Sequence, residues 1–87
     1  MNPNKENILG IIGCFHQERK EYDVAIECYK RILELFPNSF VAICRLGSCY
    51  ILTKEYEMAI ELYKKIIEID PSISSAWISL GSLYLTK

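Results

Sequence analysis

The side chains best suited to metal ligation or nucleophilic chemistry in this 87-residue chain are His16, four cysteines (Cys14, Cys28, Cys44, Cys49) and serines at 72, 74, 75, 79 and 82. A zinc site draws about four ligands together, usually in short paired spacings, and these cysteines have none. Cys44 and Cys49 stand five apart, about 140° around a helix, so they face different ways. The serines have no accompanying base, no glycine-rich loop follows a strand, and no nucleophile elbow occurs. The chain therefore reads as a non-enzyme with no metal and no cofactor. Cys28 and Cys49 read as small core hydrophobes, and His16 as a packed, partly exposed residue.

Composition narrows the partners. Half of the residues are apolar and a quarter are charged, which suits a globular or helical-repeat chain. A net charge of -1 gives no electrostatic reason to expect nucleic acid or an anionic membrane surface. The longest near-apolar run, residues 8–15, falls far short of the roughly 20 residues that cross a bilayer, and it lacks the flanks of a signal peptide. Scattered cysteines point to reduced thiols, hence to a cytoplasmic or nuclear setting.

The elements that position these residues follow from an internal repeat. Pro3, Pro37 and Pro71 are 34 residues apart, and Gly13, Gly47 and Gly81 keep the same step. The segments KEYDVAIECYKRILELFP (20–37) and KEYEMAIELYKKIIEIDP (54–71) are identical at 11 of 18 positions. A period of this length marks stacked supersecondary units. In 40–52, Ile43, Leu46 and Tyr50 recur at helical spacing; in 57–69, Ala59, Ile60, Tyr63, Ile66 and Ile67 do so. The short turns RKEY and TKEY allow only antiparallel hairpins. Each proline ends a second helix, and Asn38, Ser39, Ser72 and Ser74 offer caps for the helix that follows. The glycines, with Ala25 and Ala59, are expected to let the helices of a hairpin approach closely. Glu27 with Lys30 and Arg31, and Glu61 with Lys65, fit a solvated outer face.

Ile43, Leu46-Gly47, Tyr50, Ala59, Tyr63 and Pro71 resemble the signature of the tetratricopeptide repeat (TPR) family, and Leu9, Ile12-Gly13, Ala25, Tyr29 and Pro37 resemble it again. Trp77, Leu80-Gly81 and Tyr84 begin a third unit. The chain departs from that pattern at His16, Ile32 and Ile66. The resemblance implies an all-α fold of antiparallel helix-turn-helix repeats in a short right-handed solenoid of five helices. The expected division is 1–5 as the tail of a preceding repeat, 6–39 and 40–73 as two full repeats, and 74–87 as the first helix of a third. Both ends cut the pattern, so the chain reads as a fragment of a longer array.

The resemblance also implies a concave groove lined by first helices, and hence a protein or peptide partner. Its expected lining is Ile11, Cys14, Gln17, Val41, Cys44, Arg45, Ser48, Ser75, Ile78 and Ser79, with Leu9, Ile12 and Phe15 and their equivalents in the core. Chaperone-docking members grip a terminal carboxylate with lysines, an arginine and asparagines. The matching positions here are Gly10, Cys14, Arg45, Ser75 and Ser79, so no such clamp is expected. An asparagine-lined groove is excluded in the same way by Ile11, Arg45 and Ser79. The alternative function is self-association into a homo-oligomer through Trp77, Ile78, Leu80, Leu83 and Tyr84 of the last helix.

Overall fold

The computed structural model describes residues 4–86 and consists of five helices: α1 (Lys5–Glu18), α2 (Tyr22–Leu35), α3 (Phe40–Leu52), α4 (Tyr56–Ile69) and α5 (Ser74–Thr86). No strand occurs among the described residues. Of the segment expected to end a preceding repeat, residues 1–3 lie outside the described range. Asn4 and Lys5 instead open α1: Asn4 is the N-cap, and its Oδ1 accepts from Asn7 N at 2.8 Å. Ser39 does the same for α3, its Oγ accepting from Ala42 N at 3.4 Å. Each bond satisfies a backbone donor that a helix N-terminus leaves open.

The two junction types repeat with the sequence. After α1 the chain turns through Lys20 at φ 63°, with Lys20 N donating to Gln17 O at 3.0 Å and Glu21 N to His16 O at 2.8 Å. After α3 it turns through Lys54, also at φ 63°, and Glu55 N donates to Tyr50 O at 2.7 Å. This is the Schellman arrangement, with lysine in a left-handed position that glycine normally takes. The second helices end at Phe36-Pro37 and Asp70-Pro71. Ser72, expected as a cap, instead donates its N–H (3.0 Å) and its hydroxyl (2.6 Å) to Asp70 Oδ1. Those two bonds hold the Asp70 carboxyl below its ordinary pKa.

Consecutive helices pack in order, α1 on α2 through α4 on α5. Ala25, Ile26, Tyr29 and Ile32 on α2, and Ala59, Ile60, Tyr63 and Ile66 on α4, form one buried stripe each. They meet Ala42, Ile43, Leu46, Cys49 and Tyr50 of α3 in a single core. The glycines act differently from the expected backbone approach. A Cβ built on Gly13 would stand 2.6 Å from Tyr29 Cε1, and one on Gly47 would stand 3.1 Å from Tyr63 Cε2. The space they spare is filled by a tyrosine ring.

Two placements correct the sequence reading. Ile12 and Phe15, expected in the core, are 41% and 54% exposed, whereas Leu46 and Cys49 at the same repeat positions are 3% and 0%. The difference is a neighbour: α2 covers that flank of α3, and among the described residues no helix covers that flank of α1. Conversely, Leu80 and Leu83, assigned to a self-association face, are buried in the core because that side of α5 lies on α4.

Candidate binding groove

On α1 the residues Asn7, Ile11, Cys14 and Glu18 follow one another at steps of four, three and four, which places them in one stripe along the helix. The stripe faces Val41 and Arg45 of α3 across an open hollow of about 760 Å³, with Ile32 of α2 and Phe15 also lining it. A second hollow of about 430 Å³ is lined by Gln17, Phe40, Val41, Cys44, Arg45 and Ser48. A third, of about 230 Å³, separates α3 from α5 and is lined by Cys44 and Ser48 on one side and Ser75 and Ser79 on the other, with Tyr63 and Ile66 of α4 also lining it. Val41 and Arg45 belong to the first two hollows, and Cys44 and Ser48 to the second and third, so one surface runs across α1, α3 and α5. Ile78 lines none of these hollows and stays exposed.

The floor of the first hollow is apolar and its walls carry opposite charge. Ile11 and Val41 expose well over half of their surface. Arg45 on α3 looks across at Glu6 and Glu18 of α1. Among the described residues the ion pairs within 4 Å are His16–Glu21 (3.1 Å) and Arg19–Glu21 (3.0 Å), so none of these three charges is neutralised at that range. The helix-surface pairs expected on α2 and α4 are not closed to that distance either. The His16 bond, with the Arg19 guanidinium beside it, holds the Glu21 carboxyl below its usual range.

Behind the groove, the fully buried Tyr29 fixes two lining side chains. Its hydroxyl donates to Gln17 Oε1 at 3.0 Å and lies 3.6 Å from Cys14 Sγ. Burial, reinforced by the Cys14 contact, pushes the Tyr29 pKa up, so the phenol is a neutral donor. Burial also raises the thiols of Cys28 and Cys44, and that of Cys49 to about 11. A thiol that keeps its proton is a poor nucleophile. All four cysteines are free, and no group of three potential metal ligands occurs among the described residues. Among the described residues no helix is long and apolar enough to cross a membrane.

Sequence reasoning missed Glu6, Glu18, Phe15, Phe40 and Tyr63 as lining residues. Glu18 was within reach, since it continues the Asn7–Ile11–Cys14 stripe by one turn. Phe15 was not, because its exposure depends on which helices surround α1. On the far side of α5, Trp77 and Tyr84 are 52% and 53% exposed, and the Trp77 indole N–H donates to Pro71 O at 2.8 Å.

Two family models, each described as a tetratricopeptide repeat, match this chain, one over residues 11–39 and the other over 40–73. No curated protein matches it.

Proposed function

Because the chain belongs to the tetratricopeptide repeat family, whose members are in general protein-interaction modules, we propose that its groove across α1, α3 and α5 binds a segment of a protein partner. The segment lies extended or helical over the apolar floor, and Arg45 pairs with an acidic side chain on it. The chain acts as a non-catalytic scaffold in a cytoplasmic or nuclear setting. The observation that carries this reading is Arg45 itself: it lines two adjoining hollows beside exposed Ile11, Val41 and Cys44 with no carboxylate within 4 Å among the described residues.

A displayed library of random peptides tests it. Selection against the whole chain should enrich apolar peptides that carry Asp or Glu. Arg45→Glu should weaken an enriched acidic peptide at least tenfold, in keeping with loss of a charge pair followed by repulsion. Equal affinity for the variant would remove Arg45, and with it the groove, from the binding surface.

A further inference from the structure

The charges around the first hollow alternate in sign along its length. Glu6 and Glu18 line it from opposite ends of α1, and Arg45 lines it from α3. Arg45 stands one 34-residue step after Ile11, so on the equivalent helix it takes the height of Ile11, five residues beyond Glu6 and seven before Glu18. At about 1.5 Å per helical residue those intervals are about 7.5 Å and about 10.5 Å. Arg45 and Glu18 also share a smaller hollow of about 280 Å³ with Cys14 and Gln17, which continues the channel to the end of α1. Negative, positive and negative charge thus follow one another over an apolar floor. None of the three is closed into an ion pair within 4 Å among the described residues.

Resting on the groove reading above, we infer that the partner is an extended protein segment carrying one acidic residue with a basic residue two to three positions away on either side. An extended chain advances about 3.3 Å per residue, so a carboxylate seated on Arg45 brings those neighbours level with Glu6 and Glu18. A helical partner does not match all three charges. The same intervals are five and seven residues of helix, about 140° and about 20° off the acidic residue, so one face does not present both bases. Filling the hollow with apolar side chains drives water from its walls, and a charge that loses water without gaining an opposite partner costs free energy. A run of acidic residues satisfies Arg45 but sets like charges against Glu6 and Glu18, so the site rejects it. The stem of a lysine or arginine can lie along Ile11 while its head reaches a glutamate. Affinity comes from the apolar floor and selectivity from the order of the charges.

The displayed library of random peptides, selected against the whole chain, supplies the probe. Enriched peptides should place Lys or Arg two to three residues to each side of their Asp or Glu, and runs of acidic residues should be depleted. One such peptide, synthesised with a fluorophore, should bind Glu18→Lys about tenfold more weakly than wild type, through like-charge repulsion. Changing one of its two bases to Glu should restore most of that loss against Glu18→Lys while weakening binding to wild type. Glu18 is exposed, so the variant should keep its helical circular dichroism, and Glu18→Gln, with a smaller loss of about threefold, serves as the milder second variant. Peptides that depend on Arg45 yet lack the flanking bases, peptides with bases at helical intervals, or equal affinity for both Glu18 variants would overturn this inference and leave the groove standing. No enrichment, or enriched peptides indifferent to Arg45→Glu, would overturn the groove and this inference with it.

Discussion

The ring of Tyr29 stands where a side chain at position 13 would have to go: a Cβ on Gly13 would come 2.6 Å from its Cε1 and 2.8 Å from its Cζ. Alanine in a helix is favoured over glycine by about 1 kcal/mol, but forcing an atom into a packed site costs about 1 to 3 kcal/mol. Gly13→Ala should therefore destabilise the chain. At Gly47 the nearest atom of Tyr63 would be 3.1 Å away, so the two effects should nearly cancel. At Gly81 only the helix gain remains, and Gly81→Ala should stabilise by about 1 kcal/mol. Urea midpoints should thus rank Gly81→Ala above wild type, Gly47→Ala close to it and Gly13→Ala below. A Gly13→Ala protein as stable as wild type would contradict the packing described.

The 34-residue step made the helix count, the hairpins and the buried stripes of α2 and α4 legible from sequence, because burial there is decided inside each repeat. Leu46 and Cys49 became core for a different reason, since the helix that covers them, α2, belongs to the neighbouring repeat. Ile12 and Phe15 obey the same pattern, yet stand half open, since a periodic pattern encodes a face and not the presence of its neighbour. The glycine step was legible as a packing signal, but its agent was not. A tyrosine four residues after a buried alanine fills the space, and this emerges only when the ring is placed. For the groove, the stripe along α1 was readable and the charge opposed to Arg45 was not, because Glu6 and Glu18 take their meaning from α3.

The turns hold a second test. Lys20 and Lys54 occupy left-handed positions at φ 63°, a conformation that costs an ordinary residue about 1 to 2 kcal/mol. Glycine removes that cost but loses roughly 0.5 to 1 kcal/mol through the extra freedom of its unfolded chain. Lys54→Gly should consequently raise stability by up to about 1.5 kcal/mol, while the β-branched Lys54→Val should lower it. Thermal melts of the two variants measure the difference directly. Lys54→Val melting above Lys54→Gly would mean that the backbone is not left-handed there.

Alkali should unfold the chain earlier than its surface charge suggests. Burial lifts the Cys49 thiol from 9.0 to about 11 and raises Tyr29 above its ordinary value of 10.0. Both groups are neutral when protonated, and both give up the proton more readily in the unfolded chain. Their contribution is complete below pH 9, falls between pH 9 and 11 as unfolded Cys49 ionises, and falls further above pH 10 through Tyr29. Cys49→Ala should start from a lower stability, because it leaves a small cavity, yet show a flatter decline between pH 9 and 11. Tyr29→Phe loses about 1 kcal/mol with its hydroxyl bond and should flatten the decline above pH 10. Urea midpoints across pH 7 to 11 read both slopes, and parallel curves for wild type and variants would refute the assignment.

Thiol labelling ranks the cysteines by access and connects them to the groove. Cys44 is exposed, Cys14 is half-buried beneath the Tyr29 hydroxyl, and Cys28 and Cys49 are buried. A maleimide needs both a thiolate and a path to it. In the native chain at pH 7.5 access decides the order: Cys44, although its thiol holds its proton more firmly than an ordinary one, should react first because it is the exposed one of the four, Cys14 should follow more slowly, and Cys28 and Cys49 should stay protected until denaturant is added. Peptide mass mapping after a timed quench identifies each site, and Cys44→Ser should abolish the fast phase alone. Because Cys44 joins the α1–α3 and α3–α5 hollows, a bulky maleimide there should also block a peptide selected for the groove, whereas Cys44→Ser should leave that peptide bound. If Cys49 labelled as fast as Cys44, the packing of α3 against α2 and α4 would have to be abandoned.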